Sequence, residues 1–341
     1  MSPAAAGVEP VVTGWRCAVC SAAVDIATPF TWKCPNARPG QPHLPRLERR
    51  LSRLVAGDDP NPFVAFRPYL AWDAFAAAHG LDDDSRTRTI TALDERIEAV
   101  GGVGFRWTPF ERSAGLSDAL GFSADGGVWV KNDTGNVAGS HKARHLMTIA
   151  LHLLVAEQCG LAGWSSSAQR PPLAIASCGN AALAASTLAA AMKWPISVFV
   201  PQWANESVVE KLTSLGADIV RCPRRVEDPP GDPCVLRFRE AVAAGAVPFA
   251  VQGPENAWCH DGGRTIGWEL GTQFERTASA PGFRLAMSNG RGTNEAVGTV
   301  FIVASSASFG TEPTSAAGAT ELKMSEEMRA AKSTGRRMGS P

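Results

Sequence analysis

Three features of this 341-residue chain predict an α/β fold with mainly parallel sheets and helices on both faces. Short apolar runs alternate with helix-period segments from about residue 128 to about residue 274. Alternation of this kind builds a parallel sheet covered by its own crossover helices. Gly or Pro punctuates the ends of several helical patterns, where a helix has to stop. Hydrophobic residues make up 45% of the chain and charged residues 19%, enough for a sizeable core.

The elements follow in order. Residues 1–12 read as a flexible start. Residues 14–45 carry Cys17, Cys20 and Cys34 with Trp15, Trp32, Pro35 and Pro39, and read as a small loop-rich element. Residues 46–105 are helical. Phe75-Ala76-Ala77-Ala78 runs into Gly80, and Leu93 to Val100 ends at Gly101-Gly102. Val128 to Lys131 is a short strand. Lys142 to Glu157 is a helix with Leu146, Ile149, Leu153 and Leu154 on its apolar face. Leu173 to Ala176 is a strand, and Asn180 to Lys193 is a helix rich in Ala, ended by Trp194-Pro195. Small side chains there imply close packing. Ile196 to Pro201 is a buried strand, Ala204 to Leu215 a helix stopped at Gly216, and Asp218 to Val220 a strand. Arg237 to Ala244 is helical, Pro248 to Val251 a strand, and Thr265 to Phe274 a helix. Val300 to Val303 is a further strand within a tail expected to be poorly ordered. The domain division is then 1–50, 51–276 and 277–341.

The charge balance narrows the function. Thirty-three basic and 33 acidic residues give a formal net charge of zero, which argues against nucleic acid or an anionic membrane as partner. No apolar stretch reaches the length of a membrane span, and the N-terminus does not read as a secretory signal. A cytoplasmic protein is expected, with its eight cysteines as reduced thiols.

The chemistry concentrates on Lys142, in Gly139-Ser140-His141-Lys142-Ala143-Arg144. A lysine amine can form a Schiff base with an aldehyde, which few side chains can do. Downstream, Ser177-Cys178-Gly179-Asn180-Ala181 follows the strand at Leu173 and opens the next helix. Backbone N–H groups at a helix start point at any anion placed there. Gly179 permits close backbone approach, and the Asn180 amide can both donate and accept. Asn180 could also simply cap its helix. Cys178 reads as an inert small residue, and His141 and His145 as packing residues on one helix face.

From Trp107 to Leu270 these segments resemble the threonine synthase, threonine dehydratase and cysteine synthase group, pyridoxal phosphate enzymes of the tryptophan synthase β-like fold (fold type II). Thr108-Pro109-Phe110 with Leu116 to Gly121, Val130-Lys131-Asn132-Asp133 with the Lys142 segment, the Ser177–Ala181 loop, Val198 to Pro201 with Leu215-Gly216-Ala217, and Gly263 to Glu269 come in the family's order. The resemblance implies a two-lobed fold and a pyridoxal phosphate cofactor. It makes Lys142 the catalytic, cofactor-holding residue and places Asn180 on the ring hydroxyl. Ser177, Gly179 and Ala181 would receive a small amino-acid substrate, and a homodimer is expected.

Asp133 stands where the family usually has Glu, and Ala143 where it often has Asp. No Gly-Gly-Gly run follows Glu269. Ser288-Asn289-Gly290-Arg291-Gly292-Thr293 takes the place of the phosphate loop, so Gly290 and Gly292 are the expected cofactor contacts there, and the C-terminal part is expected to be incomplete. A lyase or synthase of the threonine synthase-like kind is the first functional expectation. A serine/threonine dehydratase and a non-catalytic remnant of the fold are the alternatives.

Cys17-x-x-Cys20 with Cys34 resembles half a zinc ribbon, such as some threonine synthase relatives carry. A structural zinc takes four ligands. Ala37 stands where a fourth cysteine is expected, and His43 could substitute. A reduced, metal-free loop is the preferred reading, with zinc on Cys17, Cys20, Cys34 and His43 beside it.

Overall fold

The computed structural model describes residues 11–38, 40, 41, 43–50, 54–122, 127–278 and 299–304. In chain order the strands and helices begin with β1 (Val12–Cys17), β2 (Ala23–Asp25), β3 (Pro45–Arg49), α1 (Pro62–Ala65), α2 (Ala71–Ala78) and α3 (Asp83–Gly101). There follow β4 (Phe110–Ser113), α4 (Ala114–Ala119), β5 (Gly127–Asn132), α5 (Lys142–Gln158), β6 (Leu173–Ala176) and α6 (Asn180–Met192). The last are β7 (Ile196–Pro201), α7 (Glu206–Ser214), β8 (Asp218–Cys222), α8 (Pro233–Ala243), β9 (Val247–Pro248), α9 (Cys259–Ala278) and β10 (Thr299–Ala304).

Two compact units result. One holds the described residues of Met1–Thr108 and Asp133–Thr272, the other those of Pro109–Asn132 and Gln273–Ala304. In the first, a four-stranded parallel sheet runs β8-β7-β6-β9, with Ile175 opposite Val198 and Phe199 opposite Val220. The α/β expectation with parallel strands holds here. Strand β9 is shorter than the sequence suggests, because only Val247 and Pro248 pair with β6. Helix α8 begins at Pro233 rather than Arg237. Asp232 caps it by accepting from the Cys234 N–H at 2.8 Å, and Pro233 occupies the first helical position, where its missing N–H costs nothing.

The segment expected to be loop-rich contains a three-stranded antiparallel sheet, β2-β1-β3, with Trp15 opposite both Val24 and Leu47. Val12, Trp15 and Cys17 are buried from β1 and Leu47 from β3. The cysteines and prolines hid this short pattern in the sequence. Helix α3 starts on Asp82, which accepts from Ser85 N, and stops at Gly102, whose φ of 78° suits glycine. Its Ile90, Leu93 and Ile97 form one buried stripe.

Helix α5 is buried along most of its length. Leu146, Ile149 and Leu153 are buried as expected, and Leu154 is half-buried. Helix α9 starts at Cys259, six residues before the expected Thr265, and takes in Gly262 and Gly263. Packing explains them. A Cβ on Gly262 would come to 1.8 Å from the Arg144 carbonyl oxygen, so only glycine lets α9 lie this close to α5.

His152 on α5 stacks on Trp258 at 4.2 Å, and its Nδ1–H donates to the Thr148 carbonyl at 2.9 Å. Burial pushes its imidazole down to about 3, against an ordinary value of 6.5. The folded state therefore favours the neutral ring. Its contribution is fully present above pH 6.5 and is lost as pH falls toward 3. At pH 5 the loss is about 2 kcal/mol. Asp73, raised by burial to about 6, works in the opposite sense as pH falls. A His152→Phe variant separates the two. Between pH 7 and pH 5 the unmodified protein should lose about 2 kcal/mol more urea stability than the variant. Equal losses would contradict the assignment.

The second unit has a three-stranded sheet, β10-β5-β4, with β4 antiparallel and β10 parallel to β5. Phe110 stacks on Trp129 at 5.2 Å across the β4–β5 pair. Ser117 on α4 accepts the Val128 N–H at 3.0 Å, which seats this short helix against β5. Among the described residues, no helix is long and apolar enough to cross a membrane.

Candidate active site at the start of the Lys142 helix

A tight corner delivers Lys142. The Asn136 side chain accepts from Val137 N at 2.9 Å and donates to Asp133 at 3.2 Å. Ala138 and Gly139 then take left-handed conformations, with φ of 54° and 66°. For Ala138 this costs about 1–2 kcal/mol, strain that sits directly before the reactive residue. Buried Ser140 accepts the Lys142 N–H at 3.3 Å. His141 is the N-cap of α5 and Lys142 its first, half-buried residue. The buried His141 Nδ1 has no hydrogen-bond partner.

Two residues on, Arg144 lies fully buried between two carboxylates. It binds Asp133 at 2.9 and 3.1 Å through Nη2 and Nε, and Glu269 at 2.5 Å through Nη1. Thr265 Oγ1 accepts a further bond at 3.1 Å, and Glu269 accepts from Thr108 N at 3.1 Å. Burial works against the guanidinium's charge, but Glu269 and Asp133 outweigh it and raise the group above its ordinary value. Sequence reasoning quoted these five residues within four segments and missed that they meet. No local signal joins them, since Asp133 lies between Asn132 and Thr134 and Arg144 next to His145; only the fold shows each buried polar group finding its partner.

Strand β6 ends in the second expected segment. Ser177 N donates to Phe199 O at 3.2 Å, and Gly179 N to Ser177 Oγ at 3.3 Å. Gly179, not Asn180, is the N-cap of α6, and Asn180 is the first helical residue. Ala181 is buried. A Cβ on Gly179 would meet no atom, so this glycine keeps a space open beside the helix start. Helix α6 packs on α5 and on the 137–139 turn, which its alanines permit.

The sequence model of a family described as "Pyridoxal-phosphate dependent enzyme" matches residues 103–336. The chain belongs to that family. Its match continues past Leu270, where the recognisable motifs give out, and runs through the expected phosphate-loop segment.

The match agrees with the resemblance read from the Lys142 and Ser177 segments. Among solved structures, maize serine racemase aligns at 19% identity and a TM-score of 0.39, over 55% of this chain and 50% of that one. Escherichia coli diaminopropionate ammonia lyase aligns at 17% and 0.42, over 58% and 50%. Threonine deaminase isoform 2 from Solanum lycopersicum aligns at 18% and 0.37, over 57% and 50%. The chain spans about half the length of these structures. A search of curated proteins found no match.

The residues present suit the pyridoxal phosphate that the family implies. Lys142, Ser177, Gly179 and Asn180 lie in one compact unit, the space beside Gly179 is open, and His141 offers an unsatisfied ring nitrogen. Gly290 and Gly292 lie outside the described residues. Beyond the Ser177 loop, a cavity of about 450 Å³ opens at the carboxyl ends of β6, β7 and β8, where parallel sheets commonly take ligands. Ser177, Cys178, Trp203 and Arg224 help line it. Arg224 and the 80% exposed Trp203 were not singled out in the sequence, since neither belongs to a recognisable motif. His145 is a packing residue: its Nδ1–H donates to Cys259 O at 2.8 Å, and burial drives its imidazole down to about 4. In the N-terminal sheet, the structure also brings together Cys17, Cys20, Cys34 and His43.

Proposed function

We propose that this chain is a pyridoxal-phosphate-dependent lyase or synthase of the threonine synthase-like kind, acting on a small amino acid. The Lys142 corner carries the reading: a half-buried lysine opens α5 behind two left-handed residues and beside an unpartnered imidazole nitrogen. The cofactor, when bound, withdraws electrons and makes a substrate Cα–H acidic. Lys142 Nζ would hold the cofactor and, once the substrate amine has displaced it, would be free to accept and return the substrate α-proton. Asn180 would donate its amide to the ring oxygen. Ser177 and the N–H groups opening α6 hold the substrate carboxylate, with Gly179 and Ala181 leaving it room. The N-terminal cysteine cluster favours the synthase side over a serine/threonine dehydratase. We place the protein in the cytoplasm as a homodimer, without nucleic acid or membrane as partner.

Borohydride reduction of the protein saturated with pyridoxal phosphate, followed by peptide mapping, tests this. The expected product is a reduced pyridoxyl adduct on Lys142. An assay panel of phosphohomoserine, serine and threonine then separates synthase from dehydratase. Absence of any adduct at saturating cofactor would instead identify a non-catalytic remnant of the fold.

A further inference from the structure

Outside the Lys142 site, one side-chain cluster has the chemistry of a closed metal centre. Cys17 ends β1, and Cys20 follows across a tight turn in which Ser21 N donates to Cys17 O at 3.0 Å. Cys34 opens a second turn, closed by Ala37 N on its carbonyl at 2.9 Å. His43 stands two residues before β3. Together these elements bring one ligand atom from each of the four residues within 4.8 Å of all the others.

The spacing fits a shared ion better than a set of unrelated thiols. Zinc in a tetrahedral site bonds sulfur at about 2.3 Å and imidazole nitrogen at about 2.0–2.1 Å, which sets the edges at roughly 3.8 Å for S···S and roughly 3.6 Å for S···N. Cys20 Sγ lies 3.6 Å from Cys34 Sγ, and Cys17 Sγ lies 3.5 Å from His43 Nδ1. A disulfide would need a sulfur separation of about 2.05 Å, and all the cysteines are free. The sulfurs also carry supporting donors. Val19 N–H points at Cys17 Sγ from 3.4 Å, and Asn36 Nδ2 at Cys20 Sγ from 3.5 Å. Three soft thiols and an imidazole, with these two pairs close to tetrahedral edge length and all four atoms within 4.8 Å, suit zinc.

The loop between Cys20 and Cys34 reaches the elements that seat Lys142. Trp32 O accepts the Ala257 N–H at 2.9 Å, and Lys33 pairs with Glu255 at 3.2 Å. The Trp32 ring meets Trp258 edge-on at 5.6 Å. The same 255–259 turn is bonded to α5: Thr148 donates to Trp258 O at 2.9 Å, and His145 to Cys259 O. We propose that Cys17, Cys20, Cys34 and His43 bind one structural zinc ion, and that the ion clamps the Trp32-Lys33 loop onto the 255–262 turn and so fixes the start of α5. The ion binds whether or not Lys142 carries cofactor, so the test is made without cofactor or turnover.

The full chain, purified without chelator, is measured for zinc by mass spectrometry and for amide hydrogen exchange before and after chelation. One zinc per chain is expected. Cobalt in its place should show thiolate charge-transfer bands and the absorption of a tetrahedral ion. Cys20→Ser and Cys34→Ser should lose the metal, and Cys159→Ser should keep it. Chelation should speed exchange at 255–262 about tenfold and leave the β6–β9 sheet unchanged. Chelation of the unmodified chain decides the matter even where a serine variant fails to fold. Failure to take up zinc on titration, zinc retained by both serine variants, or exchange at 255–262 unchanged by chelation would each overturn the proposal.

Discussion

Lys142→Ala is expected to abolish the reducible pyridoxal adduct and to lower turnover on the best panel substrate at least about a thousandfold, while the protein stays folded. The two halves of this expectation have separate causes. Alanine has no amine, and a methyl group can neither hold a carbonyl carbon nor carry a proton, so both roles go at once. The fold should hardly notice. Lys142 is the half-buried first residue of α5, and alanine is the best helix former, so a stability change within about 0.5 kcal/mol follows. Lys131 is the natural competitor in the adduct mapping. It is fully buried on β5, with Nζ 2.7 Å from Gln273 Oε1. Its burial and hydrogen bond fit a structural lysine, whereas Lys142 is half-buried at the first position of α5. Thermal melts, borohydride labelling and the substrate panel check the three parts together. An adduct that persists in Lys142→Ala, or that maps to Lys131, would remove the basis of the functional reading.

The parts of this architecture legible in the sequence are those written in local chemistry. Helices stop where the chain says so: Gly80, Gly102 and Gly216 all have the positive φ that a helix end needs. The boundaries of α5 and α6 were readable to within a residue or two for the same reason. The missed features depend on distant partners. Gly262 looks like a helix breaker until Arg144 O is seen beside it. Strand β1 has only two clearly apolar inward positions, Val12 and Trp15, and needs Leu47 of β3 to complete its face. Cys17-x-x-Cys20 was visible as a spacing, but the pairing of β3 with β1 is what carries His43 back to it. The Lys142 and Ser177 segments were found because each keeps its chemistry in consecutive residues. The 137–139 corner just ahead of Lys142 takes its shape against α6, a distant contact, and was not read.

The Arg144 cluster shows the consequence of that difference most sharply, because residues from three separate motifs neutralise one another there. Arg144→Ala should destabilise the protein by about 3–5 kcal/mol, since Asp133 and Glu269 would be left as uncompensated buried charges. Lysine would not rescue it. The guanidinium reaches both carboxylates and Thr265 through a planar fork, and an ammonium cannot satisfy all three from one point. A charge-neutral rescue should work better. In an Arg144→Met background, Asp133→Asn and Glu269→Gln together remove the repelling charges, and recovery of at least half the lost stability is expected. Urea unfolding of the single, double and triple variants measures this directly. The cluster also anchors the corner at Asn136, through Asp133, so Arg144→Ala should lose labelling at Lys142 at temperatures where its secondary structure persists. A loss below about 1 kcal/mol, or a triple variant no more stable than Arg144→Met, would mean that the buried charges are not what holds this corner in place.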